Sequence, residues 1–359
     1  MALSLGLIGL GEVAQLIHLP ILSRLGDLFA VAAAYDPSPS VLATVADRWD
    51  IARRHPSVEA LLADPGIDAV MVLSPDQHHG EHARAALAAG KHVFLEKPAC
   101  LTRADLEALA AVRSDKTVMV GYMRRFAPAF TAAKAAMPPR EEITYVRVRD
   151  VICEGPWFFR QTDSVVTPKD DISADLIATS RALRASMLAE VCGPDAPADL
   201  QTAYQVLTGL SSHSLSAMRD ILGGSPKRVV AAEVKLGGMQ ITALLDYGHF
   251  NAIYECMIGD VVRFEAGMEI NTRNRRISFE YPTPYIRNLP MWTDLQDSTE
   301  TGNRLTRLGP FHQDPFDVEM RAFHALATQG ATNPTPPADS LADLDLFGEI
   351  IAAAKRSRA

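Results

Sequence analysis

The chain has 359 residues, a formal net charge of −8 and 48% apolar residues. That length exceeds one small domain and predicts two, with apolar side chains enough for a sizeable core and against extended disorder. The acidic balance argues against a nucleic-acid partner, basic residues clustering only at Lys355 to Arg358, and no apolar run is long enough to span a membrane.

The chain opens on Leu5 to Ile8, a short apolar run with Gly6 inside it, which reads as a buried strand. Gly9, Gly11 and Ala14 follow as G-x-G-x-x-A, the pattern that turns a parallel strand into a helix over a dinucleotide. Gly9 permits the tight turn, Gly11 lets the backbone approach a pyrophosphate, and Ala14 lets helix and strand pack closely. The helix start then offers free N–H groups and a positive dipole end to the anion. Lacking a basic leading segment, this apolar start is expected to be structure rather than a signal peptide. Phe29 to Tyr35 reads as a second buried strand ending at Asp36, where a carboxylate would hold the adenosine ribose hydroxyls. The alternative for Asp36 is the N-cap of the next helix, with Pro37 in its first turn.

Ser40 to Trp49 and Val58 to Leu62 are predicted helices, Asp68 to Leu73 a strand buried on both faces, and His79 to Ala89 a helix closed by Gly90. His92 to Leu95, Arg103 to Val112 and Thr117 to Val120 continue the strand–helix–strand rhythm. The rhythm predicts a doubly wound α/β parallel sheet with ligands at the carboxyl ends of its strands, so Ser74, Pro75, Glu96, Lys97 and Tyr122 fall on the ligand-facing edge. Near residue 140 the pattern changes. Ile143 to Cys153 alternates apolar and polar residues, and Val229 to Leu236, Met239 to Tyr247, Ala252 to Gly259 and Val261 to Met268 follow as strands. An α+β domain with an open, largely antiparallel sheet is expected. Trp157 to Val206 reads as a largely helical insertion, Thr283 to Gly309 as a long loop, and Phe316 to Thr328 and Leu341 to Lys355 as amphipathic helices. The predicted boundaries are 1–122 for the nucleotide domain and 123–359 for the second, with the closing helices packing back on the first. Cys100, Cys153, Cys192 and Cys256 lie far apart without C-x-x-C pairing, which predicts reduced thiols and a cytoplasmic protein.

Among residues able to carry chemistry, Lys97 in Glu96-Lys97-Pro98 follows a strand directly. A lysine there can hydrogen-bond a substrate hydroxyl, with nearby positive charge lowering its pKa; a surface ion pair is the alternative. His79 and His82 share a helix face, yet no carboxylate or cysteine at ligand spacing completes a metal set, so no metal is expected and His79 is placed in the nucleotide pocket. His213 reads as the first turns of a helix, either functional or a buried structural histidine.

The stretches Gly9 to Ala14, Asp36, Pro75 to His79, Ala89 to Pro98 (AGKHVFLEKP) and Gly121 to Phe126 (GYMRRF) resemble the Gfo/Idh/MocA oxidoreductase family. The resemblance implies an N-terminal Rossmann domain and a C-terminal domain whose open sheet builds a homodimer or homotetramer. It implies NAD, with NADP as the alternative, on Gly9, Gly11, Glu12, Val13, Asp36, Ser74, Pro75, His79, Glu96 and Lys97. Lys97 matches the family's catalytic lysine and His213 its substrate-contacting histidine; Tyr122, Arg124 and Trp157 are the further substrate candidates. The implied reaction moves a hydride between a secondary alcohol of a sugar, cyclitol or related polyol and nicotinamide. Asp36 without a following arginine favours NAD, because a carboxylate repels a 2′-phosphate. Many family dehydrogenases carry an aspartate four residues before this histidine, and here that place is Gly209. Thr208, Ser211 and Ser212 are the nearby candidates to bind substrate instead, and Trp157, Arg160 and Arg184 to shape the pocket. A redox-neutral NAD-assisted epimerase or glycosidase, and a non-catalytic nucleotide-binding regulator, are the alternative functions.

Overall fold

The structure, a computed structural model, describes residues 2–161 and 165–358. Its contacts divide the chain into two compact units, Met1–Gly121 with Asp163–Glu190 and Glu319–Leu341, and Tyr122–Thr162 with Val191–Val318 and Ala342–Ala359.

In the first unit, β1 (Leu3–Ile8), β2 (Phe29–Tyr35), β3 (Arg53–Arg54), β4 (Ala69–Val72), β5 (His92–Glu96) and β6 (Val118–Gly121) form one parallel sheet in the order β3-β2-β1-β4-β5-β6. The inner strands are buried because they are largely apolar: Ala69, Val70, Met71 and Val72 are each 0% exposed. Strand order reverses between β1 and β4, which opens a crevice at their carboxyl ends. Helices α1 (Leu19–Arg24), α2 (Pro39–Arg48), α3 (Val58–Leu62), α4 (His79–Ala88) and α5 (Arg103–Ala110) connect them. Ser38, Ser57 and Thr102 cap α2, α3 and α5 by accepting from the backbone N–H three residues on, at 3.2, 3.1 and 3.3 Å. Gly6 in β1 has a packing reason, since a Cβ there would meet Leu61 of α3 at 2.9 Å. The later segments complete this unit. Phe323 stacks on Phe29 and meets Phe94 edge-on, and Val120 of β6 exchanges hydrogen bonds with Thr335 at 2.9 and 2.8 Å, which covers a sheet edge.

The second unit holds α6 (Pro128–Ala135), β7 (Tyr145–Cys153), α7 (Pro156–Phe159), α9 (Ala198–Val206), α10 (Ser212–Ile221), β8 (Arg228–Lys235), β9 (Gln240–Asp246), β10 (Asn251–Gly259), β11 (Phe264–Asn271), β12 (Arg275–Tyr281), β13 (Met291–Thr299) and β14 (Gly302–Phe311). Between α7 and α9 runs α8 (Ala174–Cys192); after β14 come α11 (Pro315–Gln329) and α12 (Leu341–Arg356). The eight strands run β14-β13-β12-β11-β7-β10-β9-β8, antiparallel except for the β7–β10 pair. One face packs under helices: Phe130 of α6 meets Phe279 of β12, and Thr293 donates to the Ala129 carbonyl at 2.7 Å.

The expected loop from Thr283 to Gly309 is a correction: most of it is the β13–β14 hairpin. These strands lack an apolar pattern because β14 is an exposed edge, and cross-strand ion pairs decorate them instead. Arg307 forks onto Asp294 at 2.7 and 2.8 Å, while Arg275 and Arg304 share Asp297. Strand β12 also went unread. Among the described residues, no helix is long and apolar enough to cross a membrane, and the four cysteines are free and buried.

Candidate functional site

The two glycines after β1 are held to different standards by the fold. Gly9 has φ +97°, and a Cβ there would lie 2.7 Å from the Leu73 carbonyl oxygen, so the chain itself requires glycine. At Gly11 a Cβ would meet nothing within 4 Å. Gly11 is exposed, so its backbone is open to the approach of a ligand. Ala14 is 1% exposed and opens a π-helical turn, Ala14–His18, that leads into α1. Asp36 braces the turn: one carboxylate oxygen accepts from the Leu10 N–H at 2.8 Å and the other from the Ser38 N–H at 2.9 Å. Burial pushes the Asp36 carboxyl up, the two backbone hydrogen bonds pull it back, and Asp171 nearby pushes it up again, leaving it raised. The donor set therefore fits a dinucleotide: an open approach at Gly11 beside exposed Val13, a helix start, and a carboxylate at the end of β2.

At the end of β5, Lys97 is half-buried while its neighbours are locked. Glu96 accepts from its own Lys97 N–H at 3.0 Å and lies 2.7 Å from His18, whose ring is 0% exposed against Phe94. Burial alone would raise Glu96; the His18 hydrogen bond and charge, with Lys97, outweigh it and hold the carboxyl below its usual value. His79 is 1% exposed and places one ring nitrogen 2.6 Å from the Pro98 carbonyl and the other 2.7 Å from the Ser74 carbonyl. It staples the turns after β4 and β5. Ser74 Oγ pairs with His82 at 2.9 Å. Glu96 and His79, expected against the cofactor, make internal hydrogen bonds that set the backbone around Lys97. No group of three or more His, Cys, Asp or Glu suited to a metal occurs among the described residues.

The segment 165–190 also belongs to this unit and touches its carboxyl edge at three places. Gln15 exchanges two hydrogen bonds with the Val166 backbone at 2.9 and 2.8 Å; Asp171 binds Ser38 and Ser40; Ser180 meets Gln77 and His78 at 2.8 and 2.9 Å. Sequence reasoning named neither Gln15, His18, Ser38, Asp171 nor Ser180. Only the strand-end positions of their partners hinted at them.

In the second unit, His213 is half-buried on the first turn of α10, directly after the π-helical turn Leu207–Ser211. Tyr122 and Arg124 are 2% and 3% exposed. Arg124 pairs with fully buried Asp150 at 2.6 Å, reaches Ser214 and lies 4.8 Å over the Tyr281 ring. Ser214 and Tyr254 complete the carboxylate's partners, each at 3.0 Å. Burial pushes Asp150 up and Arg124 opposes it, leaving it raised. Arg124, a substrate candidate from the sequence, sits in this cluster and through Ser214 ties to the helix that carries His213. Thr208 and Ser212 hydroxyls donate to the Tyr204 and Thr208 carbonyls at 3.1 and 2.7 Å, inside their own helix. At Gly209 a Cβ would meet open space. Trp157 is 38% exposed with the Arg160 guanidinium 4.1 Å over its ring.

A family model described as "Oxidoreductase family, NAD-binding Rossmann fold" matches residues 3–122. Those residues belong to the Gfo/Idh/MocA family. The chain is 40% identical over 138 residues to an inositol 2-dehydrogenase of Acidothermus cellulolyticus, a stretch covering 37% of this chain and 40% of that protein. It is 36% identical over 142 residues to the inositol 2-dehydrogenase of Paracoccus denitrificans, covering 38% and 42%. The matches thus span less than half the length of these curated relatives. Fold similarity extends further. The aldose–aldose oxidoreductase of Caulobacter crescentus matches with TM-score 0.72 at 19% identity over 100% of this chain and 99% of that one. UDP-N-acetylglucosamine 3-dehydrogenase of Acidithiobacillus ferrooxidans matches with TM-score 0.73 at 18% identity over 99% of each. The family model is described as NAD-binding, and the two curated relatives are named as inositol 2-dehydrogenases.

Proposed function

We propose that this chain is an NAD-dependent dehydrogenase acting on a secondary alcohol of a sugar, cyclitol or related polyol. The observation that carries the reading is the contrast between Gly9, required by the fold, and Gly11, whose backbone is left open at the helix start beside Asp36. Gly9 to Val13 and Asp36 hold the nucleotide, with the turns at Ser74 and Pro75 beside it. When bound, the nicotinamide supplies the hydride acceptor. Lys97 takes the hydroxyl proton of the carbinol, and His213 contacts that hydroxyl. Glu96, through the Lys97 N–H, and His79, through the Pro98 carbonyl, keep the lysine at its strand end, so little reorganisation is needed when the proton moves. Tyr122 and Arg124 support the substrate side by packing, and Trp157 offers an aromatic face. The relatives named as inositol dehydrogenases support a cyclitol or sugar as substrate. We further propose a homodimer or homotetramer built on the open eight-stranded sheet.

The test is a panel of cyclitols and sugars assayed for NADH formation with wild type and Lys97→Met. Loss of roughly 10²-fold or more in kcat with NAD affinity retained is expected from removing a general base. Undiminished turnover in Lys97→Met would overturn the role given to Lys97. Substrate conversion with tightly held NAD and no net NADH would redirect the reading to redox-neutral chemistry.

A further inference from the structure

The turn after β2 carries more than one carboxylate. Asp171, from the segment 165–190, places one oxygen 2.6 Å from Ser38 Oγ and the other 2.7 Å from the Ser40 N–H, with the Lys169 N–H at 3.3 Å. Ser38 thereby joins two acids: its N–H donates to Asp36 and its hydroxyl to Asp171. Ser40 Oγ lies 3.1 Å from Ser38 Oγ, and Ser38 caps α2. These donors form the start of a ten-residue helix, where free N–H groups and the dipole favour an anion. The hydrogen bond from Ser38, foremost, holds the Asp171 carboxyl well below its usual range, so it is ionised at neutral pH.

A carboxylate at the end of β2 holds the adenosine ribose hydroxyls. The donors that follow Asp36 along the chain, and that would suit a phosphate on the 2′-oxygen, are Ser38 Oγ and the Ser40 N–H. Those donors are already satisfied by a protein carboxylate. Resting on the NAD reading above, we infer that Asp171 is a specificity-determining residue: it fills the anion position at the start of α2 with an internal negative charge and so excludes a 2′-phosphorylated dinucleotide. Asp36 discriminates by meeting the ribose; Asp171 discriminates by occupying the phosphate's donors. An NADP molecule would have to displace it and leave two like charges facing the phosphate.

The experiment is titration of full-length wild type, Asp171→Asn and Asp171→Ala with NAD, NADP, 5′-AMP and 2′,5′-ADP, read by calorimetry, with the melting temperature of each apoprotein recorded. Wild type is expected to prefer NAD. In both variants the NADP-to-NAD affinity ratio should rise at least about tenfold, 2′,5′-ADP following NADP and 5′-AMP following NAD, as expected for freeing charge-assisted donors. A ratio unchanged in both variants, or NAD and NADP affinities falling together, would make Asp171 a merely structural cap and overturn the inference. Wild type that binds NADP as tightly as NAD would overturn it as well. Wild type that binds neither dinucleotide overturns the NAD reading itself, a distinct outcome visible before any variant is made.

Discussion

The glycine turn of the first unit and the Arg124–Asp150 cluster of the second solve opposite problems. The turn works through backbone: Gly9 bends, Gly11 stays bare, and Asp36 braces one N–H. Its glycines lie within a few consecutive residues, which is why a short motif marks it, although Leu73 and Asp36 press on the turn from other strand ends. The cluster works through buried side chains drawn from positions 124, 150, 214 and 254, and its purpose is to fix α10. Recognition by backbone is local in sequence; positioning by side chains is not.

The comparison breaks most visibly at Arg124. Arg124→Ala leaves Asp150 buried and without its counter-charge, and should cost about 3–5 kcal/mol in denaturant unfolding. A cost near zero would mean the cluster does not hold the second unit. At Gly9, Gly9→Ala combines a strained φ with a contact on the Leu73 carbonyl, for an expected loss of about 2–4 kcal/mol. Gly11→Ala should leave stability unchanged, and an equal loss from both glycines would erase the distinction between them.

A smaller effect concerns His82, which pairs with Ser74 beside the cofactor edge. Burial foremost, then His78 and His79, lower its pKa to about 4, while Glu59 opposes them weakly. The unfolded chain therefore binds this proton more readily. The contribution is intact above the unfolded value near 6.5 and is lost as pH falls from there toward 4, at most about 3 kcal/mol in all. Thermal melts across that window should show the loss in wild type and a flatter profile in His82→Gln; identical profiles would contradict it. Smallest is Gly209→Ala. With open space for its Cβ, alanine should stabilise the helix by about 0.5–1 kcal/mol and raise Tm by about 1–3 °C. A fall in Tm would show that the π-helical turn needs glycine.

The parallel sheet was legible because its strands are apolar runs punctuated by caps and glycines, and their observed ends lie within a few residues of the expected ones. The β13–β14 hairpin was not, because ion pairs such as Arg307–Asp294 decorate strands that carry no apolar period. In the site, Gly9, Gly11, Asp36 and Lys97 stood out through position relative to strand ends. His18 and Asp171 did not: one lies seven residues past Gly11 on a buried helix face, and the other reaches Ser38 across 133 positions of sequence. Arg124 was visible as a motif residue, but only its partner Asp150 reveals that the guanidinium points inward.

Calorimetric titration of NAD into wild type and Gly11→Ala tests the central claim most directly. Binding to wild type, weakened at least about tenfold in a variant whose unliganded melting temperature is unaltered, is the predicted result. Equal affinity in the two proteins, or no binding of NAD or NADP to wild type, would contradict it.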